Sequence, residues 1–147
     1  MITIQKFDKN QKCTSEKQTE INEFLFKGLQ EYGDPKEDIN EAIDYALGKN
    51  NSPGGFVLAA NENDKIVGSV VVNITGMKRY IPENILVYIA TDPEHRGKGI
   101  GKKLMETALE NAQGSVALHV EPNNPAKGLY EKLGFTNKYL EMRYIKK

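Results

Sequence analysis

Apolar side chains recur along the chain with two different periods, and each change of period marks a predicted element. Residues 1–7 alternate apolar and polar positions, which is typical of a half-buried strand. Two helices are predicted next, the first capped by Thr14 or Ser15 and the second beginning after Asp34 and Pro35. Their apolar positions are Ile21, Phe24, Leu25, Leu29 and Tyr32, followed by Ile39, Ala42, Ile43, Ala46 and Leu47.

The middle of the chain is rich in β-branched residues. Residues 56–60 and 66–74 predict an antiparallel hairpin, because the polar cluster "NENDK" between them is typical of a turn. The polar loop "TGMKRYIPEN" separates this hairpin from a further strand, predicted at residues 85–91. A helix should follow, since apolar residues recur at helical spacing at Ile100, Leu104, Ala108 and Ala112.

Three short elements are predicted in the last third of the chain. They are a strand at residues 115–120, a helix from Asn124 to Gly134 and a final strand at residues 136–145. The full order is then β-α-α-β-β-β-α-β-α-β, which predicts an α/β (α+β) fold with a central mixed sheet and helices on both faces. A chain of 147 residues without repeats or linkers fits one domain spanning residues 1–147.

Charge and cysteine content exclude several classes of protein. Lys and Arg together balance Asp and Glu at 20 each, which argues against a protein held to nucleic acid mainly by phosphate contacts. Cys13 is the single cysteine, so neither a disulfide framework nor a cysteine-rich metal site is expected. The polar N-terminus and the absence of a long apolar run predict a cytoplasmic protein without membrane or metal partners.

A glycine-rich stretch, "TDPEHRGKGIGKKLM", lies between a predicted strand and a predicted helix. A dinucleotide-binding fingerprint would need glycine at Lys102, and a P-loop would need glycine at Arg96 and a hydroxyl at Lys103. A phosphate-binding turn at a helix N-terminus remains, because glycines let backbone N–H groups approach an anion closely. The cations there, without an acid between them in the turn, are Arg96, Lys98, Lys102 and Lys103.

Two motifs, one in this stretch and one further along the chain, resemble those of the GNAT superfamily of N-acetyltransferases. "RGKGIG", residues 96–101, matches the signature Arg/Gln-x-x-Gly-x-Gly/Ala, and "NNPAKGLYEKLGF", residues 123–135, resembles the second cofactor segment. The resemblance implies a mostly antiparallel GNAT-like sheet and a loop that holds the pyrophosphate of acetyl-coenzyme A (acetyl-CoA). The implied cofactor contacts are Ile89, Ala90, Thr91, Arg96, Gly97, Lys98, Gly99, Ile100, Gly101, Lys102, Asn123 or Asn124, and Tyr130.

The resemblance also implies direct acetyl transfer from the thioester to an amine, without an acyl-enzyme. Tyr130 matches the family's general acid, and a phenol with a pKa near 10 would keep its proton until the thiolate leaves. His119 matches a position that carries a carboxylate in some members, and its pKa near 6.5 suits a general base. Glu121, Glu83 and a water chain remain as alternative bases.

The acceptor is expected to be a primary amine of a small molecule or peptide. Residues 15–50 hold nine acidic residues against four lysines, which would favour a cationic acceptor unless these are only solvated helix faces. Lys78 and Arg79 point instead to an acceptor that carries a carboxylate. A non-catalytic acyl-CoA-binding sensor is the alternative function, and the resemblance leaves a homodimer open, with the final strand as its candidate contact.

Overall fold

Five strands form one sheet in the computed structural model, which describes residues 1–147. The strands are β1 (Thr3–Phe7), β2 (Gly55–Glu62), β3 (Lys65–Ile74), β4 (Asn84–Thr91) and β5 (Val116–Leu118). They lie side by side in sequence order, and each pair is antiparallel except β4 and β5, which are parallel. The predicted mixed, mostly antiparallel sheet is therefore confirmed.

Four α-helices cover the two faces of this sheet. They are α1 (Ser15–Leu29), α2 (Lys36–Ala46), α3 (Ile100–Asn111) and α4 (Lys127–Lys132). Side chains of α1 and α2 pack with Val57 and Ala59 on one face. Those of α3 and α4 pack with Phe56 and Leu58 on the other face. Because both faces of the sheet are buried, β2 and β3 are continuous apolar runs rather than alternating ones. None of the helices has the length and apolar composition needed to cross a bilayer.

The predicted start signals lie at the beginning of the first two helices, and the first of them is a side-chain cap. Thr14 Oγ1 accepts a hydrogen bond from the N–H of Lys17 at 3.1 Å, and Pro35 directly precedes α2. The end of α1 differs from the prediction, since the α-helix stops at Leu29 and a single 3₁₀ turn continues to Tyr32. The break lies at Gln30, whose φ of 50° no α-helix accommodates.

The predicted hairpin is confirmed as β2 and β3. Asn63 and Asp64 form its turn with φ values of 52° and 64°. A two-residue turn with both φ values positive matches the twist of the strands, and Asn and Asp tolerate this conformation.

The final strand predicted at residues 136–145 is wrong in this structure. Residues 133–147 include no strand, and Tyr139, Leu140, Met142 and Tyr144 are between 78% and 90% exposed. A β-rich composition makes a segment able to pair, but a strand forms only against a partner backbone. The edge strand β5 is shorter than the predicted 115–120 and pairs only with β4. The homodimer expectation, which used the final strand as its contact, stays a prediction.

Candidate functional site

The sheet opens between β4 and β5. The parallel ladder joins Asn84 to Val116, continues for two more pairs and ends where Leu86 lies opposite Leu118. From residue 87 to Thr91, β4 pairs only with β3, so its other side has no neighbouring strand. This stretch therefore offers backbone N–H and C=O groups to a ligand as a sheet edge does.

A β-bulge marks the point where the two strands separate. In the β3–β4 register Val71 lies opposite Tyr88 and Val72 lies opposite Leu86, so Val87 is an extra residue. The bulge bends β4 at the end of its ladder with β5, which is where a change of strand direction opens the sheet.

The alternation of the ladder determines which backbone groups of β4 face the opening. The N–H of Asp92 donates to the carbonyl of Val67 at 2.9 Å, so Asp92 faces β3. In an antiparallel ladder the backbone N–H and C=O of Ala90 then also point toward β3, whereas those of Ile89 and Thr91 point toward the open side. The backbone N–H of Ile89 is therefore accessible from the open side, whereas that of Ala90 is not.

The glycine turn that follows β4 presents a row of unpaired N–H groups. Gly97 and Gly99 have φ values of +82° and +75°, a conformation that side chains disfavour. The first main-chain bond of α3 runs from the N–H of Lys103 to the carbonyl of Gly99 at 3.0 Å. The N–H groups of residues 97 and 99–102 donate to no acceptor in the protein. Such a row at a helix N-terminus favours an anion.

Four cations surround this turn without carboxylate partners. All four side chains are exposed, and none has a nitrogen within 4.0 Å of an Asp or Glu oxygen. They are Arg96, Lys98, Lys102 and Lys103. The turn therefore combines unpaired donors with unneutralised positive charge, as a diphosphate site requires.

The end of β4, the start of α3 and the helix α4 meet at Gly101. A methyl group added there would lie 3.7 Å from both Leu129 Cδ2 and Thr91 Cγ2. Tyr130, next to Leu129, is only 7% exposed and its ring centroid lies 6.0 Å from that of Phe135. Burial raises the pKa of the Tyr130 phenol, which therefore stays protonated at neutral pH.

The candidate bases differ in their surroundings. His119 is exposed and directly follows Leu118, where the β4–β5 ladder ends. Because β5 ends at Leu118, neither His119 nor Glu121 lies on a strand. Glu83 accepts hydrogen bonds from the N–H groups of Ser115, at 2.9 Å, and Arg79, at 3.4 Å. The Ser115 bond above all lowers the pKa of Glu83, and it joins the residue before β4 to the residue before β5.

The two asparagines of the second motif have different contacts. Asn124 Oδ1 accepts a hydrogen bond from the N–H of Ala126 at 2.9 Å, which fixes the turn before α4. The side chain of Asn123 is exposed and makes no hydrogen bond, although its carbonyl accepts one from the Tyr32 hydroxyl at 3.4 Å. Asn123 is therefore the one with a free side chain to offer a ligand.

A histidine and two carboxylates that the sequence analysis did not select join the glycine turn to the β2–β3 hairpin. His95 Nε2 lies 3.0 Å from Glu62 Oε1, and His95 Nδ1 lies 3.3 Å from Asp92 Oδ2. Asp92 also accepts a hydrogen bond from the N–H of Glu94, the main cause of its lowered pKa. Asp92 before a proline is a helix-cap signal in the sequence, whereas Glu62 is distant in sequence and carries no such signal.

Comparisons with known proteins agree with this geometry. The sequence pattern of the family described as "Acetyltransferase (GNAT) domain" matches residues 53–137. The N-alpha-acetyltransferase RimI of Mycobacterium tuberculosis is 33% identical over 98 residues, which cover 65% of this chain and 61% of RimI. This region therefore spans less than two thirds of the length of that relative.

Two solved structures share the fold. A GNAT-family acetyltransferase from Streptococcus pneumoniae has a TM-score of 0.71 at 22% identity, over 99% of this chain and 98% of its own. Aminoglycoside N-acetyltransferase AAC(6')-Iy, in complex with CoA, has a TM-score of 0.67 at 15% identity, over 99% of this chain and 95% of its own.

The family match covers more than half of the chain and includes every part of the site described above. It begins before β2 and ends after α4, so the open strand, the glycine turn and the second cofactor segment, residues 123–135, all lie within it. The chain belongs to the GNAT family of acetyltransferases.

Proposed function

We propose that this protein transfers an acetyl group from acetyl-CoA directly to a primary amine of a small molecule or peptide. One observation carries the proposal: the open side of β4 leads into a turn whose N–H groups, at residues 97 and 99–102, have no acceptor. The strand edge suits the amide groups of a pantetheine arm, and the turn with its cations suits a pyrophosphate. The name of RimI and the CoA complex of AAC(6')-Iy support the same reaction.

The side chains and backbone present fit acetyl-CoA as cosubstrate. An added Cβ at Gly97 or Gly99 meets nothing within 4 Å, so these glycines leave open space on the outer side of the turn. We assign the cosubstrate to the open strand, the turn, the second motif and the phenol beside them. The assigned residues are Ile89, Ala90, Thr91, Arg96, Gly97, Lys98, Gly99, Ile100, Gly101, Lys102, Asn123 and Tyr130, with Asn124 acting through the α4 turn.

The proposed reaction uses few groups of the protein. The amine nitrogen attacks the thioester carbonyl carbon, and the N–H of Ile89 stabilises the developing oxyanion. The carbon–sulfur bond then breaks, and the leaving thiolate takes the proton of Tyr130. The acceptor, cationic when free, loses one proton from nitrogen before attack and a second after attack, to His119, which lies where β4 and β5 separate, or to water. Tyr130 is reprotonated from solvent, and the products are the amide and free CoA.

Substitution of Asn123 should affect cofactor binding, whereas substitution of Asn124 should affect the stability of the fold. Replacing Asn123 with Ala should raise the KM for acetyl-CoA about threefold to tenfold, because one exposed polar contact is lost, and leave the melting temperature unchanged. Replacing Asn124 with Ala should destabilise the fold by about 1 kcal/mol through loss of its bond to the N–H of Ala126. Steady-state kinetics and thermal unfolding of both variants test this assignment. The reverse pattern would identify Asn124 as the cofactor contact.

A transfer assay tests the function itself. The protein is incubated with acetyl-CoA and each of four amines, tri-alanine amide, lysine methyl ester, spermidine and glucosamine, while free thiol and acetylated product are measured. We expect at least one amine to yield amide and thiol in equal amounts. Thiol release without amide would show hydrolysis only, and an absence of both would contradict the proposal.

The names of the relative and of the two solved structures described above, all acetyltransferases, support the enzyme over the alternative of a non-catalytic acyl-CoA sensor. We further infer that residues 1–147 act as one domain, because β1 pairs with β2 and α1 and α2 pack on the matched part of the sheet. The cytoplasmic location remains a prediction.

A further inference from the structure

The segment between α1 and α2, residues 30–35, lies across the opening between β4 and β5. On one side the hydroxyl of Tyr88, in β4, donates to Asp34 Oδ2 at 2.5 Å. On the other side the hydroxyl of Tyr32 donates to the carbonyl of Asn123, in the stretch after β5, at 3.4 Å. The segment, here called the acceptor strap, is therefore attached to both sides of the opening.

A glycine in α1 brings the acceptor strap close to the open strand. A methyl group added at Gly28 would lie 2.9 Å from the Cβ of Ala90, closer than two such carbons can approach. Glycine inside a helix costs about 1 kcal/mol relative to alanine, so its presence here needs a packing reason. The reason is the direct contact between α1 and the unpaired stretch of β4.

Asp34 carries an exposed carboxylate that no cation neutralises. One of its oxygens accepts the Tyr88 bond, and no Lys, Arg or His nitrogen lies within 4.0 Å. The nearby Lys36 lies instead over the ring of Phe26, 5.2 Å from its centroid. Tyr88 itself is only 7% exposed, and burial raises the pKa of its phenol, which therefore remains a donor.

We propose that Asp34 binds the ammonium group of the acceptor amine, and that Tyr88 is the residue that positions this carboxylate. The inference rests on the proposed function and names its substrate class: alkyl primary amines that are cationic at neutral pH. A carboxylate held beside the reacting strand attracts a protonated amine, and it releases the neutral acetylated product because that product carries no charge at nitrogen.

Two substitutions separate the charge from its position. Asp34→Asn removes the charge but keeps an oxygen that can accept the Tyr88 bond. It should raise the KM for tri-alanine amide, or for the best acceptor of the four amines, about tenfold, which is 1.4 kcal/mol. Its kcat and its KM for acetyl-CoA should change less than about twofold. Tyr88→Phe keeps the charge of Asp34 but removes the hydrogen bond that holds this carboxylate in place. It should raise the amine KM about threefold.

Product inhibition and a charge control make the test specific. N-acetyl-tri-alanine amide lacks the ammonium group, so its inhibition constant should be the same in the wild type and in Asp34→Asn. Glu41→Gln removes an equal charge from an exposed position of α2 without hydrogen bonds and should leave the amine KM unchanged. Added salt should raise the amine KM of the wild type, and Asp34→Asn should lose most of this dependence.

The outcomes distinguish this inference from the proposed function. If the wild type acetylates amines and Asp34→Asn has an unchanged amine KM, the assignment of Asp34 is wrong and the transferase remains. Equal losses of amine and product affinity in Asp34→Asn would show a general distortion of the acceptor strap and would also overturn it. If the wild type acetylates none of the four amines while it remains folded, both proposals fail together.

Discussion

Replacing Tyr130 with Phe is expected to lower kcat about 100-fold while changing the Kd for acetyl-CoA less than about twofold. The reason is that the phenol supplies the proton taken by the leaving thiolate, whereas the buried ring contributes only packing that Phe retains. Burial raises the pKa of Tyr130 above its usual value of about 10, so the acid form persists through neutral and mildly alkaline pH. Loss of activity by deprotonation of this group should therefore begin at a higher pH than for an ordinary phenol. Stopped-time assays across pH measure kcat and its pH dependence, and calorimetry measures the Kd for acetyl-CoA.

Tyr45→Phe is the matched control for this substitution. The Tyr45 hydroxyl also makes a hydrogen bond, to the carbonyl of Ile74 at 2.7 Å, but it lies outside the proposed site. Its loss should cost about 1 kcal/mol of stability and leave kcat unchanged. An unchanged kcat in Tyr130→Phe would remove Tyr130 from its role as general acid.

Replacing Gly99 with Ala is expected to weaken acetyl-CoA binding at least tenfold. The added methyl group would project from a turn that holds unpaired N–H groups, where a pyrophosphate oxygen must come close. In the free protein the methyl group meets nothing within 4 Å. The folding cost is therefore limited to about 1–2 kcal/mol for an L residue at positive φ. Calorimetry for binding and thermal unfolding for stability measure the two effects separately.

Gly76 provides the control for Gly99. It has a similar φ of +81°, an added methyl group there also meets nothing within 4 Å, and it lies in the loop between β3 and β4. Gly76→Ala should thus lose the same stability without losing acetyl-CoA affinity. If both variants lost affinity equally, backbone strain would explain the effect and the pyrophosphate assignment would fail.

Sequence patterns predicted the core of the fold because its strands and helices carry the periods that burial requires. The turn at Asn63 and Asp64, the Thr14 cap of α1 and the start of α2 after Pro35 follow from local chemistry, and the structure has them where the sequence indicates. The final strand was wrong because pairing depends on a partner backbone, which a single segment does not reveal. The length of β5 was overestimated for the same reason, since its ladder ends where the bulge at Val87 turns β4 away.

In the candidate site, too, the features that are local in the chain could be predicted and the contacts between distant residues could not. The glycine turn and its cations are contiguous in the chain, so spacing alone indicated an anion site. The bond between Tyr88 and Asp34 and the contact between His95 and Glu62 join residues far apart in sequence. The abundance of acids in residues 15–50 indicated a cationic acceptor only in general terms. Geometry is what selects Asp34 from that set, because it lies beside the open strand.

The most direct test of the whole account is a calorimetric titration of the purified protein with acetyl-CoA, with NAD and ATP as controls. We predict saturable binding of acetyl-CoA in the micromolar range at one site per chain, and no comparable binding of NAD or ATP. Folded protein that binds no acetyl-CoA would contradict the account, because the open edge of β4 and the glycine turn would then have no acyl-CoA to hold.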